Sequence, residues 1–338
     1  MINGYMLIFW IIVFILSLAL LVKSADWFVE SSEKIGLELK ISPFIIGVTI
    51  VSIGTSLPEL FSSLAATLRG ATEVVVANAI GSNIFNILFI VGLSAVVARR
   101  LIIKRSLIDL DAPLLAASTA LLLFISWDGK IFLGEGILLC LAFLVYLLYT
   151  VFQRRDAEEE TAEIVEVLPS RTERREKEAK IEVKPSKPEK IGLKVFLFLI
   201  VGIVGLIIGA NWTIESMVKI SEIAKIPSSL IAIIALAAGT SLPELVVSVR
   251  AAAQKKYEIA LGNIFGSNIF NALVVVGVPA LIKPLTVDEL ALRVGLPFLA
   301  VATLLFIISG ISRRIHIWEG AMFLLIYVLF IVKLTGIF

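Results

Sequence analysis

The chain has 338 residues, of which 59% are hydrophobic, and its mean hydropathy is +1.00, so it is not an ordinary soluble domain. Its formal net charge of +2 does not point to a nucleic-acid partner, and the sequence contains no nucleic-acid-binding motif. A single cysteine, Cys140, excludes an intramolecular disulfide, and a single histidine, His316, excludes a metal cluster of histidines and cysteines.

Apolar runs of about 20 residues predict an all-α membrane protein with ten transmembrane helices. In chain order the predicted spans are 5–23, 43–68, 74–98, 108–126, 131–152, 193–211, 227–250, 258–282, 290–309 and 317–335. Between the fifth and sixth spans lies a charged segment, residues 153–192, which contains three prolines. We predict that this segment is a linker, partly disordered or of short irregular structure.

The distribution of lysine and arginine predicts how the chain is oriented. Basic residues are concentrated in the linker and in three loops on the same side of the predicted membrane, at 99–105, 250–256 and 313–314. Cytoplasmic loops carry such an excess. We therefore predict a multi-pass protein of the plasma (cell) membrane, with a cytoplasmic linker and both termini outside.

Two sequence motifs occur twice. GTSLPE is found at 54–59 and 239–244, and GSNIFN at 81–86 and 266–271, so both pairs share one offset of 185 residues. The chain is thus a duplication of two five-helix repeats, 1–152 with its motif region at 41–98, and 193–338 with its motif region at 226–282. Because five is odd, the second repeat must enter the membrane upside down, which is the arrangement of many secondary transporters.

Each GTSLPE motif places a carboxylate, Glu59 or Glu244, inside an apolar helix. An acidic residue at membrane depth is costly and usually marks an ion pathway. Thr55 and Ser52 lie on the same helix face as Glu59, and Pro58 cannot donate to the backbone carbonyl four residues before it. Carboxylate, hydroxyl and carbonyl oxygens form the ligand set that suits Ca²⁺ or Na⁺. The second repeat offers the equivalent residues Thr240, Ser241 and Ala237, the last in place of Ser52.

The GSNIFN motifs contribute a polar stripe on two further helices. Residues at a spacing of four share one face, and the stripes consist of Asn78, Ser82 and Asn86 in the first repeat and Asn263, Ser267 and Asn271 in the second. Their oxygen atoms could complete the coordination shell of a cation. The alternative is that they form hydrogen bonds between helices and have only a structural role.

These motifs resemble those of the sodium/calcium exchanger family, within the cation/calcium exchanger superfamily, and the short linker suggests a prokaryotic type. The resemblance covers all ten predicted spans. It implies that Glu59 and Glu244 bind Ca²⁺ together with the carbonyl groups of Thr55 and Thr240. It implies that Na⁺ binds the same glutamates, with Ser56, Ser241, Ser82, Ser267 and the carbonyl groups of Ser52 and Ala237. Asn271 stands where some relatives carry aspartate, so this site has two acids instead of three.

The predicted function is that of a secondary antiporter which exchanges Ca²⁺ for Na⁺ by alternating access at a midplane site. Protons could neutralise the same glutamates, so a proton/Ca²⁺ exchanger is an alternative, as is K⁺-dependent exchange. A passive cation channel is the alternative from a different class. An enzyme is not expected, because no HExxH motif is present and the only histidine is peripheral. We expect no cofactor and no obligate protein partner, with Ca²⁺ and Na⁺ as transported substrates and lipid as the surroundings.

Overall fold

The computed structural model describes residues 2–39, 41–103, 111–167, 192–223 and 239–335. The helices of these residues are α1 (Ile2–Glu38), α2 (Pro43–Thr55), α3 (Leu57–Arg69), α4 (Glu73–Ala98), α5 (Ala112–Ser126), α6 (Leu133–Val167), α7 (Leu193–Ile223), α8 (Leu242–Ala253), α9 (Tyr257–Ala280), α10 (Ala291–Ile311) and α11 (Ile317–Thr335). Four short strands are β1 (Arg100–Ile102), β2 (Lys130–Ile131), β3 (Leu285–Thr286) and β4 (Arg314–His316). β1 pairs with β4 and β2 with β3, both antiparallel, so each pair joins the two halves of the chain.

The described helices confirm a helical, multi-pass membrane protein. Seven of them are long and apolar enough to cross a membrane, and α2 with α3 makes an eighth if the two form one bent span. Helix α5 is apolar but has 15 residues, and the predicted span 227–250 is described only from residue 239 onward. The count of ten spans, arranged as two inverted repeats, therefore stays a prediction.

Three helices extend well beyond their predicted ends. Helix α1 was expected to end near residue 23 and continues to Glu38, and α6 was expected to end near residue 152 and continues to Val167. Helix α7 was expected to end near residue 211 and continues to Ile223. The prediction of irregular structure is thus wrong for residues 153–167. Residues 137–168 contain no glycine or proline, and Pro169 is the first residue that disfavours a helix. Hydropathy marks where a helix leaves the membrane, which is a different point from where the helix ends.

The centre of the molecule is formed by α4 and α9. The apolar window of α9 is wholly buried and that of α4 is mostly buried, whereas α1, α6, α7 and α11 expose most of theirs. Helices α2 and α8 pack against α9, and α3 packs against α4. Helices α1 and α7 pack side by side. The exposed apolar surface of the outer helices is suited to lipid, and the motif helices lie inside it.

Glycines allow α2 and α9 to approach closely. A Cβ atom on Gly262 would lie 2.7 Å from the carbonyl oxygen of Phe44 and 2.9 Å from the Cα atom of Gly47. A Cβ atom on Gly266 would lie 2.6 Å from the Cβ atom of Ser52. Small residues permit such backbone contact between membrane helices. This contact places the first GTSLPE region directly on the helix that carries the second GSNIFN motif.

Candidate cation-binding site

Glu59 and Glu244 each lie in the first turn of a helix. Helices α2 and α3 meet at a bend of 40°, and Pro58 and Pro243 occupy the first turns of α3 and α8. Proline suits this position because the amide hydrogen that it lacks would have no partner within the helix. The amides at a helix start carry partial positive charge, which favours a carboxylate there. The two glutamates are 0% and 1% exposed, respectively.

Serines from opposite halves hold the two carboxylates. The hydroxyl of Ser56 donates to Glu244 Oε1 at 2.8 Å, and the hydroxyl of Ser241 donates to Glu59 Oε1 at 2.9 Å. Each serine stands three residues before the glutamate of its own half and contacts the glutamate of the other half. The structure therefore brings these four predicted site residues together across the boundary between the repeats.

Several polar atoms at this boundary are buried without a hydrogen bond. Glu59 Oε2, Glu244 Oε2 and the side-chain amides of Asn86 and Asn271 have no hydrogen-bond partner among the residues that the structure describes. All four side chains are at most 1% exposed. A buried polar atom without a partner costs about 1–3 kcal/mol. Four oxygen atoms in this condition, two of them on carboxylates, would be satisfied by a cation.

The two asparagines lie on short stretches of π-helix, which are frequent at functional sites. Asn86 belongs to the π-helical segment Phe85–Ile90, and Asn271 begins the segment Asn271–Val275. The first segment packs against α8, the helix of Glu244, and the second packs against α3, the helix of Glu59. Each asparagine is thus carried on a segment that contacts the acidic helix of the other half.

Threonine and asparagine form a second set of contacts between the halves. The hydroxyl of Thr55 donates to Asn263 Oδ1 at 3.0 Å, and Asn263 Nδ2 donates to the hydroxyl of Ser248 at 2.8 Å. Ser267, one turn after Asn263 on α9, also donates to Asn263 Oδ1, at 3.5 Å. Asn263 thereby connects two predicted ligands with the helix of Glu244.

The other half repeats this pattern with longer contacts. The hydroxyl of Thr240 donates to Asn78 Oδ1 at 3.4 Å, and Asn78 Nδ2 donates to the hydroxyl of Ser63 at 3.3 Å. Sequence reasoning did not identify Ser63 or its counterpart Ser248. Their position was a usable signal, since each follows a motif glutamate by four residues and so lies on the same helix face.

The remaining predicted ligands are less engaged. The hydroxyl of Ser52 donates to the carbonyl group of Val48 in its own helix at 2.6 Å. The carbonyl group of Ser52 accepts the Ser56 amide at 3.0 Å and the Thr55 hydroxyl at 3.3 Å. Ser82 is buried on α4, and Ala237 lies outside the described residues.

The donor set suits a hard cation. Within the described ranges, histidine, cysteine, aspartate and glutamate form no cluster of three or more that could hold a metal ion. The two glutamates are instead accompanied by hydroxyl and amide oxygens. Oxygen ligands of this kind are typical of Ca²⁺, and a site with few carboxylates favours modest affinity over permanent retention.

These features define a helical membrane transporter with paired acids between two duplicated halves. Residues 9–152 and 194–336 match the family described as sodium/calcium exchanger protein. The match covers most of the chain, so the protein belongs to this family, whose members are cation/Ca²⁺ antiporters and not enzymes.

Relatives and a solved structure agree with this assignment. The chain is 31% identical to the sodium/calcium exchanger MaX1 of Methanosarcina acetivorans, covering 96% of this chain and 97% of the relative. It is 34% identical to the inner membrane protein YrbG of Escherichia coli, covering 82% and 81%. Its fold matches a structure of the sodium-calcium exchanger NCX_Mj with a TM-score of 0.79 and 30% identity, covering 97% and 99%. The resemblance to this family, in its prokaryotic type, is thereby confirmed.

Proposed function

We propose that this protein is a secondary antiporter that exchanges Ca²⁺ for Na⁺ across the cell membrane. The observation that supports this most is the reciprocal pairing of Ser56 with Glu244 and of Ser241 with Glu59. It brings two buried carboxylates to the boundary between the halves, where each keeps one oxygen without a partner in the described structure. Family membership favours exchange over the passive channel.

The proposed Ca²⁺ ligands are the carboxylates of Glu59 and Glu244 and the carbonyl groups of Thr55 and Thr240. Na⁺ would use the same glutamates at more than one position. The further oxygen donors proposed for Na⁺ or for completing the shell are those of Ser56, Ser241, Ser82, Ser267, Asn86, Asn271, Ser52 and Ala237. Two carboxylates neutralise one Ca²⁺ or two Na⁺, so a third Na⁺ would give the loaded site a positive charge.

Charge neutralisation provides the coupling. An ionised carboxylate in a closed apolar site is costly. A site in which both glutamates are ionised and no cation is bound is therefore disfavoured during the change of access. Loading with Ca²⁺ or with Na⁺ removes this cost. The carrier then crosses with one ion type or the other, which produces exchange instead of leak.

The proposal includes an arrangement in the membrane. Ten spans form two inverted five-helix repeats, with the linker of 153–192 in the cytoplasm and both termini outside. The duplication at one offset and the basic residues of the linker and its neighbouring loops support this arrangement. Alternating access then exposes the site at the boundary to one side at a time.

The test is a flux assay with purified protein in liposomes. Vesicles loaded with Na⁺ are diluted into Na⁺-free medium that contains radioactive Ca²⁺, and we expect Ca²⁺ uptake that depends on the outward Na⁺ gradient. Glu59→Gln and Glu244→Gln should each abolish the uptake. Absence of Na⁺-driven uptake by the unaltered protein would refute Na⁺ coupling.

The same vesicles separate the alternatives. Uptake driven by a pH gradient without Na⁺ would identify proton/Ca²⁺ exchange, and uptake that requires K⁺ would identify K⁺-dependent exchange. Single-channel currents far above the turnover of a carrier would identify a channel.

A further inference from the structure

Asn263 accepts hydrogen bonds from hydroxyl groups of both halves of the chain. Thr55 and Ser267 both donate to its Oδ1 atom, at 3.0 and 3.5 Å, and its Nδ2 atom is held by Ser248 at 2.8 Å. All four side chains are 0% exposed. Asn263 is thus a rigid acceptor between two residues that the proposed function makes ion ligands.

The hydrogen bond to Asn263 determines the orientation of the Thr55 hydroxyl and therefore of its lone pairs. A hydroxyl has one proton to donate, and Asn263 Oδ1 is the nearer of two acceptors, since the carbonyl group of Ser52 is at 3.3 Å. When its proton is directed to Asn263, the lone pairs of the Thr55 oxygen are left available for a cation.

We infer that Asn263 is a positioning residue of the ion site, anchored by Ser248, which orients the hydroxyl groups of Thr55 and Ser267 toward the bound cation. This inference rests on the proposed function. The equivalent contacts of Asn78, to Thr240 and Ser63, are 3.4 and 3.3 Å long. The first-half set is therefore looser, and it supplies a matched control within the same chain.

The experiment compares Ser248→Ala with Ser63→Ala, neither of which removes a proposed ligand. Ser248→Ala should raise the half-saturating Ca²⁺ concentration about three- to tenfold, the effect of one hydrogen bond, with the maximal rate unchanged. Ser63→Ala should raise it less than about twofold, because its hydrogen bond is long. A double-mutant cycle with Asn263→Ala then tests the route of the effect. In the Asn263→Ala background, Ser248→Ala should have no further effect on the half-saturating concentration.

The outcomes are distinct. Non-additivity of Ser248→Ala and Asn263→Ala supports positioning through Asn263, since residues that act independently give additive effects. Equal effects of Ser248→Ala and Ser63→Ala, or additivity in the cycle, would overturn the inference. If the unaltered protein shows no Na⁺-driven Ca²⁺ uptake, the proposed function fails instead, and Ca²⁺ binding measured by thermal unfolding still tests the positioning role.

A second, independent feature is a set of ion pairs at one end of the site helices. Arg250, near the end of α8, contacts both carboxylate oxygens of Asp26 on α1, at 2.7 and 3.1 Å, and Gln254 donates to the same carboxylate at 3.1 Å. Lys256, just before α9, pairs with Glu33 of α1 at 2.6 Å. Helix α1 is therefore tied to the corner between α8 and α9.

The duplication does not extend to these residues. At the offset of 185, Asp26 corresponds to Asn211 and Glu33 to Val218. Arg250, Gln254 and Lys256 correspond to Ala65, Arg69 and Ala71, respectively. Among the described residues, no ion pair joins α7 to α3, the pair of helices equivalent to α1 and α8. The two ends of the site are alike in the motif residues and differ in this attachment.

The geometry points to a latch that favours closure of the site at the α8–α9 corner. Arg250 stands six residues after Glu244, about 9 Å along the helix. Its ion pair with Asp26 therefore attaches α1 to α8 at a level between the carboxylates and the α8–α9 corner. In the proposed alternating access, on which this inference also rests, α1 separates from α8 when the site opens there. The ion pairs break at that step, and the described part of the opposite end contains no equivalent ion pair.

The test measures the half-saturating Ca²⁺ concentration at each membrane face, using right-side-out and inside-out vesicles. A ligand's apparent affinity at one face is reduced by the fraction of protein open to that face. Asp26→Asn should lower the half-saturating Ca²⁺ concentration at the membrane face on which the α8–α9 corner lies and raise it at the other face. The ratio of the two concentrations should change about two- to fivefold. Glu33→Gln should act in the same direction, and the exchanged pair Asp26→Arg with Arg250→Asp should restore the original ratio. Lys219→Ala breaks an ion pair within α7 and should leave the ratio unchanged.

Asp26→Asn and Glu33→Gln variants that transport Ca²⁺ with an unchanged ratio would overturn the latch. Parallel changes at both faces would also overturn it, because they indicate an effect on ion binding and not on access. Loss of Na⁺ dependence in the unaltered protein would instead refute the proposed function.

Discussion

Replacing Glu59 with glutamine should abolish Ca²⁺ transport and at the same time stabilise the protein in the absence of ions. Glu59 is 0% exposed, and Ser241 is its hydrogen-bond donor at 2.9 Å. A second buried acid, Glu244, lies across the same boundary. Function and stability are opposed at such a site, because the groups that bind a cation are costly to bury without one.

The magnitude follows from these contacts. An ionised carboxylate in a protein interior retains a penalty of several kcal/mol after relaxation, and one hydrogen bond to a charged group returns about 1.5–3 kcal/mol. The carbonyl group of glutamine can still accept from Ser241, and it carries no charge. We therefore expect Glu59→Gln to raise the free energy of unfolding by about 1–2 kcal/mol, which corresponds to a rise in unfolding temperature of a few degrees.

The assay is thermal unfolding in detergent, with a chelator and then with Ca²⁺. Ca²⁺ at about one hundred times its dissociation constant should stabilise the unaltered protein by about 2.7 kcal/mol, and this increase should disappear in Glu59→Gln. Glu73→Gln is the matched control, because Glu73 also lies in the first turn of a helix but is exposed. It should leave the response to Ca²⁺ intact. If Glu59→Gln lowers the unfolding temperature and the response to Ca²⁺ remains, Glu59 is a structural residue and the reasoning is refuted.

Three further predictions concern neighbouring residues. Ser56→Ala and Ser241→Ala should weaken Na⁺ more than Ca²⁺, each by roughly tenfold in half-saturating concentration; a large difference between the two variants would contradict their reciprocal roles. Gly266→Ala should destabilise the protein by about 1–3 kcal/mol in a thermal-unfolding assay, since its Cβ atom would meet Ser52. Gly134→Ala, with nothing described within 4 Å of its Cβ atom, should not. Asn271→Asp should make Ca²⁺/Ca²⁺ exchange voltage-dependent, because the Ca²⁺-loaded site would then carry a negative charge; voltage-independent flux in this variant would contradict a neutral Ca²⁺-loaded site.

The sequence predicted the helical membrane fold and singled out the two acids as candidate site residues, because both inferences depend on local properties. Hydropathy is readable in windows of about 20 residues, and an acid within an apolar run stands out at once. The repeated motifs added a relation that no single window contains. They indicated that Glu59 and Glu244 are equivalent, and hence that they serve one site.

The sequence could not predict which residue of one half contacts which residue of the other. Ser56 was predicted as a ligand, but its hydrogen bond to Glu244 of the other half was not predicted. Ser248 was not predicted as a site residue. Its importance depends on Asn263, fifteen residues away and on the next helix. Spacing within one helix defines a face, but the partner of that face depends on how the helices cross.

Contacts between the halves show where the site stands relative to the duplication. A two-fold relation brings residues near its axis into contact with their own equivalents. The contacts of Ser56 with Glu244, Ser241 with Glu59, and Asn83 with the carbonyl group of Asn268 join residues 188, 182 and 185 positions apart. All three separations are close to the repeat offset, which supports a position of the carboxylates near the axis of the proposed two-fold relation.

In the proposed antiporter, an ion near this axis would meet similar donors from both halves, whichever side of the membrane it entered from. The motif residues therefore give the ion site no strong preference for one direction. Such a preference must come from positions where the halves differ. Ser52 with Ala237 is one of these positions within the motif region, and Asp26 with Asn211 is another near its edge. Because the ion pair of Asp26 lies away from the carboxylates, it could change the balance between the two proposed access states without changing the ligands proposed for both.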